Sequence, residues 1–230
     1  MITLARARAL LDQHLGANPA LRNHSLATGA IMRALADRFG EPADDWEALG
    51  LLHDLDFEQT RDTPARHTLE TVEWLRPEGV PEPYLQAIVA HNEATGAVRA
   101  DRLAHALAAA ESVTGLVMAC AFVLPDRQIA SVKVGSLRKR MKEKAFARNV
   151  SRETILECEK IGIPLDEFFA LAIAAMAPLQ ETLIARTGPA FAAPVAPSAP
   201  PAPAAPAASG ESGRSAGAPG AASTTGSTGS

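Results

Sequence analysis

Apolar residues recur at every third or fourth position through most of residues 1–187, which is the period of an amphipathic helix. Asn18–Pro19 predicts a helix start, because Asn is a favoured N-cap and Pro a favoured first helical residue, and Gly40 predicts its end. Further helices are predicted over residues 43–53, 84–91, 99–124, 151–161 and 165–185, with another that begins at Pro64. Only residues 128–134 alternate briefly as a strand would. The pattern predicts an all-α fold, a compact bundle of many helices.

Polar side chains interrupt the apolar faces of these predicted helices. They are His24, His53, His67, His91 and Glu111, with Asp54 next to His53. A single histidine on an apolar face is most often a hydrogen-bonded core residue. If four histidines were buried with two carboxylates, the carboxylates would lose their solvation and gain little electrostatic stabilisation unless a cation lay among them. Neutral imidazole nitrogens and ionised carboxylate oxygens are ligands of divalent metals, so the pattern predicts a metal site.

The order of these residues resembles the HD-domain superfamily of metal-dependent phosphohydrolases, in the branch with six ligands. The resemblance covers about residues 20–120 and includes the stretch "GLLHDLDFE". It implies an HD-domain-like bundle with two metal sites that share Asp54. The first site would consist of His24, His53, Asp54 and Glu111, and the second of Asp54, His67 and His91.

Glu111 differs from the family pattern, in which the last ligand is usually Asp. A single-metal enzyme, in which His67 and His91 hold the substrate phosphate, is therefore an open alternative. Asp56 and Glu58 are expected to support the ligands or to be solvated. The expected cofactor is one or two divalent ions, chosen from Mn²⁺, Fe²⁺, Co²⁺, Mg²⁺ and Zn²⁺.

The resemblance implies hydrolysis of a phosphate ester or anhydride of a small molecule, such as a nucleotide, by metal-activated water. His53 and Asp54 would form the catalytic centre, and Asp56 could relay a proton. Two other functions are open at this point. One is a di-iron oxygenase of the HD type that acts on a small phosphonate or polyol, and the other is a non-catalytic helical module that binds a metal or an anion.

Residues 127–152 form a basic segment, with nine Lys and Arg and one Glu, so the segment has a net charge of +8. The whole chain has a net charge of −4, so the remaining residues carry −12. We predict that it binds substrate phosphate through Lys133, Ser136, Lys139 and Arg140. The alternative is a solvated basic helix face. Phe146 is its one aromatic residue, which argues against nucleic acid because base stacking needs aromatic side chains. The expected partner is a small phosphorylated substrate.

The composition changes sharply near Gly188. Residues 188–230 are rich in Pro, Ala, Gly and Ser, which predicts a disordered tail. The helical domain before it is predicted over residues 1–187, with its core at 20–120 and a basic helical extension at 127–187. Two cysteines do not make a disulfide framework. The longest apolar run, Phe168–Leu179, has 12 residues and includes Pro178, so it is short for a membrane span. We expect a cytoplasmic protein that does not bind membranes, with its oligomeric state open.

Overall fold

The computed structural model describes residues 1–185, and within that range it contains helices and turns but no strand, which confirms the all-α prediction. The α-helices are α1 Leu4–Leu15, α2 Pro19–Phe39, α3 Ala43–Leu52, α4 Phe57–Thr60, α5 Leu69–Leu75, α6 Glu82–His91, α7 Arg102–Phe122, α8 Val134–Met141, α9 Arg152–Ile155, α10 Glu157–Lys160, α11 Leu165–Met176 and α12 Gln180–Ala185. Short 3₁₀ turns cover Pro64–Arg66, Glu93–Thr95, Ile129–Ser131 and Ala177–Leu179. The predicted tail lies outside the described residues.

The ends of α2 follow from its sequence. The Asn18 side chain accepts hydrogen bonds from the amides of Ala20 and Leu21, at 3.1 and 3.2 Å, so it satisfies two amides that have no partner within the helix. Gly40 ends the helix in the left-handed conformation, with φ at 69°, which glycine adopts without steric cost. Both ends agree with the predicted boundaries.

Two contacts organise the core. Helix α7 packs against α2, α6, α9, α10 and α11, and its apolar residues are buried on nearly all sides. Helix α2 packs most extensively against α3, because Gly29 and Gly50 meet where the two helices cross. A Cβ on Gly50 would lie 2.7 Å from the Gly29 backbone, so the helices can approach this closely only with glycine at the contact.

Two helical stretches, Arg102–Phe122 and Leu165–Ile184, are long and apolar enough to cross a membrane by length and composition. In the first, 83% of the apolar window is buried within the fold, as expected for the core helix of a globular domain. The second is 28% buried, and the 3₁₀ turn with Pro178 interrupts it. Such stretches are weak evidence for a membrane protein, because core helices have the same length and composition.

The structure shows that the brief alternation at residues 128–134 is not a strand, and that two predicted helices are interrupted by short turns. Residues 128–134 do not form a strand, since they contain the turn Ile129–Ser131 and the start of α8. A strand needs a neighbour for its backbone groups, and here the Ile129 amide donates instead to Gln180 Oε1 at 2.7 Å. The helices predicted over 151–161 and 165–185 are each interrupted, the first at Leu156 and the second at the turn that contains Pro178.

The helix predicted from Pro64 is also interrupted. A 3₁₀ turn ends at Arg66, and Thr68 takes a φ of 85°, so α5 begins only at Leu69. His67 therefore lies in the break between two elements and not on a helix face. This break decides how His67 enters the site described below.

Candidate metal centre

A buried cluster of side chains lies where several helices end. His24 is in the second turn of α2, the His53–Asp54 pair directly follows α3, and His91 is the last residue of α6. These four residues and His67 are between 0 and 8% exposed. Leu51 and Leu52, which are 1 and 0% exposed, anchor the end of α3 in the core and so fix the position of the His53–Asp54 pair.

Three of the four histidine rings are oriented through Nδ1. His53 Nδ1 donates to the carbonyl oxygen of Gly50 at 2.9 Å, and His91 Nδ1 to that of Ile88 at 2.7 Å. His67 Nδ1 donates to Asp56 Oδ1 at 2.8 Å. Because carbonyl and carboxylate oxygens can only accept, each Nδ1 carries the hydrogen, and in the neutral ring the lone pair lies on Nε2.

His24 follows the same rule through a hydroxyl group. Its Nδ1 lies 3.1 Å from Thr114 Oγ1, and the Thr114 hydroxyl donates its own hydrogen to the Glu111 carbonyl oxygen at 2.6 Å. The Thr114 oxygen therefore accepts from His24 Nδ1, which again leaves the lone pair on Nε2. Rings held in this way are typical of metal-binding histidines, whose second nitrogen is fixed by a hydrogen bond.

Asp54 lies between the Nε2 atoms of two histidine pairs. Its Oδ1 is 3.2 Å from Nε2 of both His67 and His91. Its Oδ2 is 3.4 Å from His53 Nε2 and 3.6 Å from His24 Nε2. Two groups of three ligand atoms result, each with all its atoms within 4.8 Å of one another. We call His24, His53 and Asp54 the inner group, and Asp54, His67 and His91 the outer group; Asp54 belongs to both.

Glu111 lies beside the inner group. Its Oε2 is 3.8 Å from His24 Nε2, and its Oε1 accepts from the Ser112 hydroxyl at 3.1 Å. Its side chain keeps 19% of its surface exposed. Burial and the charge of Asp54 together raise the pKa of Glu111 to about 8. The carboxyl group is thus close to the predicted site, in a position where a nearby cation would favour its ionised form.

The two groups differ in their protonation. Burial lowers the pKa of His53 to about 3 and also lowers the pKa of His24, so both inner imidazoles are neutral, as a metal ligand must be. Burial also acts to lower the pKa of His67, but Asp54 and Asp56 outweigh it and raise this pKa to about 10. Burial acts to raise the pKa of Asp54, yet the neighbouring imidazoles hold it well below its ordinary value.

Asp56 supports the outer group. The residue is fully buried, its Oδ2 accepts from the Thr71 amide at 3.1 Å, and its own amide donates to the Thr71 hydroxyl at 3.0 Å. These bonds fix the carboxylate that orients His67. Glu58 is exposed and pairs with Arg61 at 2.7 Å, so it is a surface residue and not part of the cluster.

The predicted phosphate-binding residues lie on another element. Lys133, Ser136, Lys139 and Arg140 lie on or directly before α8, which packs against α7 and α11. The Arg140 guanidinium pairs with Glu143 and lies over the Phe146 ring, 4.1 Å from its centre. Lys139 is 4.0 Å from the same Glu143 carboxyl group. Arg140 and Lys139 thus have an acidic neighbour within the segment itself, while Arg138 pairs with Asp166 on α11. The role of the segment in substrate binding stays a prediction.

The residues that orient the cluster were not predicted from the sequence. Thr114 lies one helical turn after Glu111 on the same predicted face, so periodicity could have indicated it. Asn92 and Thr71 gave no such signal, because their partners lie in other segments of the chain. The Thr114 hydroxyl accepts from the His24 ring, the Thr71 amide donates to the Asp56 carboxylate, and the Asn92 side chain donates to the His67 carbonyl oxygen.

Within residues 1–185 the structure is all-α, with a buried cluster of four histidines and Asp54 whose ligand atoms could hold a metal ion. Comparison with protein families agrees, because residues 21–116 match the family model of the HD domain. The matched segment contains all six predicted ligands, so this part of the chain is similar to HD domains. No curated protein and no solved structure matches the chain.

Proposed function

We propose that the protein is a phosphohydrolase that cleaves a phosphate ester or anhydride of a small molecule with metal-activated water. One observation carries the proposal: each oxygen of Asp54 faces a different pair of imidazoles, whose lone pairs are set by hydrogen bonds at Nδ1. A carboxylate shared between two ligand groups is the arrangement that two-metal phosphohydrolases require. The similarity of residues 21–116 to HD domains supports the same conclusion.

The donor set indicates which ions fit. The inner group would hold one ion, with Glu111 beside it, and the outer group would hold the other. Imidazole ligands suit Mn²⁺, Fe²⁺, Co²⁺ and Zn²⁺ better than Mg²⁺, which prefers oxygen ligands. When bound, such ions lower the pKa of a coordinated water to near neutrality and polarise phosphoryl oxygens.

The side chains of the cluster supply orientation and charge. The carbonyl oxygens of Gly50 and Ile88 hold the rings of His53 and His91 before any ligand arrives, so little reorganisation is needed. Asp54 keeps its negative charge through the neutral pH range, because the surrounding imidazoles lower its pKa. Glu111 is the most exposed of the six predicted ligands, with 19% of its side-chain surface accessible.

The test is reconstitution of the metal-free protein with each of the five ions, followed by a screen for phosphate release from a panel of phosphorylated metabolites. We expect turnover with at least one ion and none from the Asp54→Ala variant. Oxygen consumption with Fe²⁺ but no phosphate release would instead indicate the di-iron oxygenase. A protein that folds fully without metal and turns over no substrate would indicate the non-catalytic module.

The number of metals is tested separately with His67→Ala. If two ions bind, this variant loses one of them, since His67 contributes only to the outer group. If one ion binds and His67 contacts the substrate, metal content is unchanged and KM rises. Elemental analysis and steady-state kinetics on the same preparation distinguish the two cases.

A further inference from the structure

We propose that Asn92 is a positioning residue that holds the outer group together by clamping the backbone turn on which His67 lies. Asn92 directly follows His91 and is 3% exposed. It has no ligand atom in either group, but it connects the segments that carry two ligands of the outer group. The inference rests on the proposed function, since it assigns a structural basis to the second metal site.

The Asn92 carboxamide uses both of its donors and also accepts one hydrogen bond. Its Nδ2 donates to the carbonyl oxygen of His67 at 2.9 Å and to that of Pro64 at 2.8 Å. Its Oδ1 accepts from the Ala94 amide at 3.1 Å, which caps the turn that follows α6. One side chain therefore joins the residue next to His91 to the backbone of His67 itself, 25 positions earlier in the sequence.

The turn that Asn92 clamps is strained. Thr68, directly after His67, has a φ of 85°, in a region that β-branched residues rarely adopt. Its hydroxyl is buried and makes no hydrogen bond within the described part of the chain. A strained backbone persists only where its surroundings hold it in place, and such strain is concentrated at functional sites.

The strained backbone at Thr68 and the hydrogen bonds of Asn92 together determine the orientation of the His67 ring. The reversal at Thr68 ends the helical turn of residues 64–66 and brings the His67 ring between Asp54 and Asp56, with its Nδ1 2.8 Å from Asp56. The two donors of Asn92 bond to the carbonyl oxygens of Pro64 and His67, at the two ends of the segment that directly precedes Thr68. Without them the turn could relax, and His67 would no longer point at Asp54 Oδ1.

The experiment uses the full chain in metal-free form, with Co²⁺ alone as the probe. Asn92→Asp keeps the oxygen that caps Ala94 but loses both donors, so it separates the clamp from the cap. Asn92→Ala loses both. The matched control is Asn18→Ala. Asn18 is a partly buried helix cap whose side chain accepts hydrogen bonds from two amides, but it lies at the start of α2.

For both Asn92 variants we expect the first Co²⁺ to bind as in the wild type and the second to bind roughly 10- to 100-fold more weakly. Asn18→Ala should bind both ions as the wild type does, even if its melting temperature falls. Unchanged affinity for both ions in Asn92→Asp would overturn the proposal, because the cap would then be its sole role. Equal weakening of both ions in a folded variant would overturn it as well.

A second measurement tests the role of Asn92 independently of how many metal ions bind. If the wild type binds fewer than two Co²⁺ ions, the two-metal proposal fails, and hydrogen exchange in the metal-free protein then tests the clamp. Amides of residues 65–68 should exchange faster in Asn92→Asp than in the wild type and should be unaffected in Asn18→Ala. Equal exchange in Asn92→Asp and the wild type would overturn the clamp.

Discussion

At the scale of single residues, Asp54 has the largest role because its two oxygens serve two different pairs of imidazoles. Replacing an ordinary ligand leaves the other group intact, whereas replacing Asp54 removes an oxygen from both. The carboxylate is also buried, so the positive charge that it balances must lie within the cluster. Its substitution is therefore the most direct test of the site.

Asp54→Ala and the isosteric Asp54→Asn should abolish turnover and most metal binding. The Asn variant keeps the shape of the side chain and so separates the loss of charge from the loss of packing. Elemental analysis and phosphate release measure the two effects. Asp44→Ala, which removes a carboxylate that is 70% exposed and pairs with Arg33, is the control and should change neither. Normal metal content in both Asp54 variants would refute the assigned centre.

Asp56→Asn should weaken the outer metal selectively. Asp56 accepts from two donors, the His67 ring and the Thr71 amide, and an amide has only one accepting oxygen, so one bond must be lost. We expect the second Co²⁺ to bind roughly 10- to 100-fold more weakly, the usual effect of removing a partner that orients a metal-binding histidine. Titration with Co²⁺ measures this. Glu58→Gln, on the surface nearby, serves as the control, and equal effects of both substitutions would contradict the assignment.

At the scale of helices and turns, the glycine contact between α2 and α3 sets the distance between two ligands. His24 lies on α2 and His53 directly after α3, and their Nε2 atoms are 3.3 Å apart. Gly50 touches the Gly29 backbone three residues before His53. Any side chain at this contact must separate the helices, and with them the two inner ligands.

Gly50→Ala should destabilise the protein and weaken the inner metal together. The added Cβ would lie 2.7 Å from backbone atoms, which cannot move aside as a flexible side chain can. Overpacking of this kind costs about 1–3 kcal/mol in the free energy of unfolding, and occasionally more. Urea unfolding and Co²⁺ titration measure the two effects. Gly135→Ala on α8 meets nothing within 4 Å and should change stability by less than about 1 kcal/mol, in the stabilising direction.

The sequence allowed the ligands to be predicted but not the connections that orient them. His24, His53 and His91 were found because helical period and residue type are local properties, and the structure keeps all three in the cluster. The bond from Asn92 to His67 spans 25 positions, and the bond from Thr114 to His24 spans 90. Pairings of this kind depend on how separate elements pack, which periodicity does not encode. The strained Thr68 was missed for a related reason, since a β-branched residue gives no signal for a turn.

At the scale of the whole molecule, the cluster joins α2, α3 and α6 with the turn before α5. A ligand bound there connects segments that otherwise meet only through packing. Metal removal should therefore lower the melting temperature, because binding to the folded state alone stabilises it by about 2.7 kcal/mol when free metal exceeds Kd 100-fold. Thermal unfolding with and without a chelator measures this. The melting temperature of Asp54→Ala should be the same with and without chelator. An equally unchanged melting temperature in the wild type would contradict the proposal that the cluster binds a metal.

The pH dependence of the metal-free protein provides the last prediction. The pKa of His67 is raised to about 10 in the folded state, so the stabilisation from its proton is complete below its ordinary value of 6.5 and is lost as pH rises toward 10. Glu111, with its pKa raised to about 8, acts in the same direction, because the folded state holds its proton more tightly up to that pH. The lowered pKa of His53 matters only below 6.5 and does not oppose this trend.

The free energy of unfolding of the chelated protein should therefore fall steadily between pH 6.5 and 9.5, as measured by urea unfolding. His67→Gln should show a smaller decrease, to which Glu111 contributes up to about pH 8; the buried thiols of Cys120 and Cys158, whose pKa values are raised to about 11 and about 12, contribute only near pH 9 and above. Metal affinity should change in the opposite sense, because a metal must displace the proton of His67 before it binds the ring. The second Co²⁺ should bind more tightly at pH 8.5 than at pH 6.5. The affinity for the first should change less, because His53 is already neutral and only Glu111, with its pKa of about 8, loses a proton there. Equal pH dependence of the two ions would contradict the difference between the inner and outer groups.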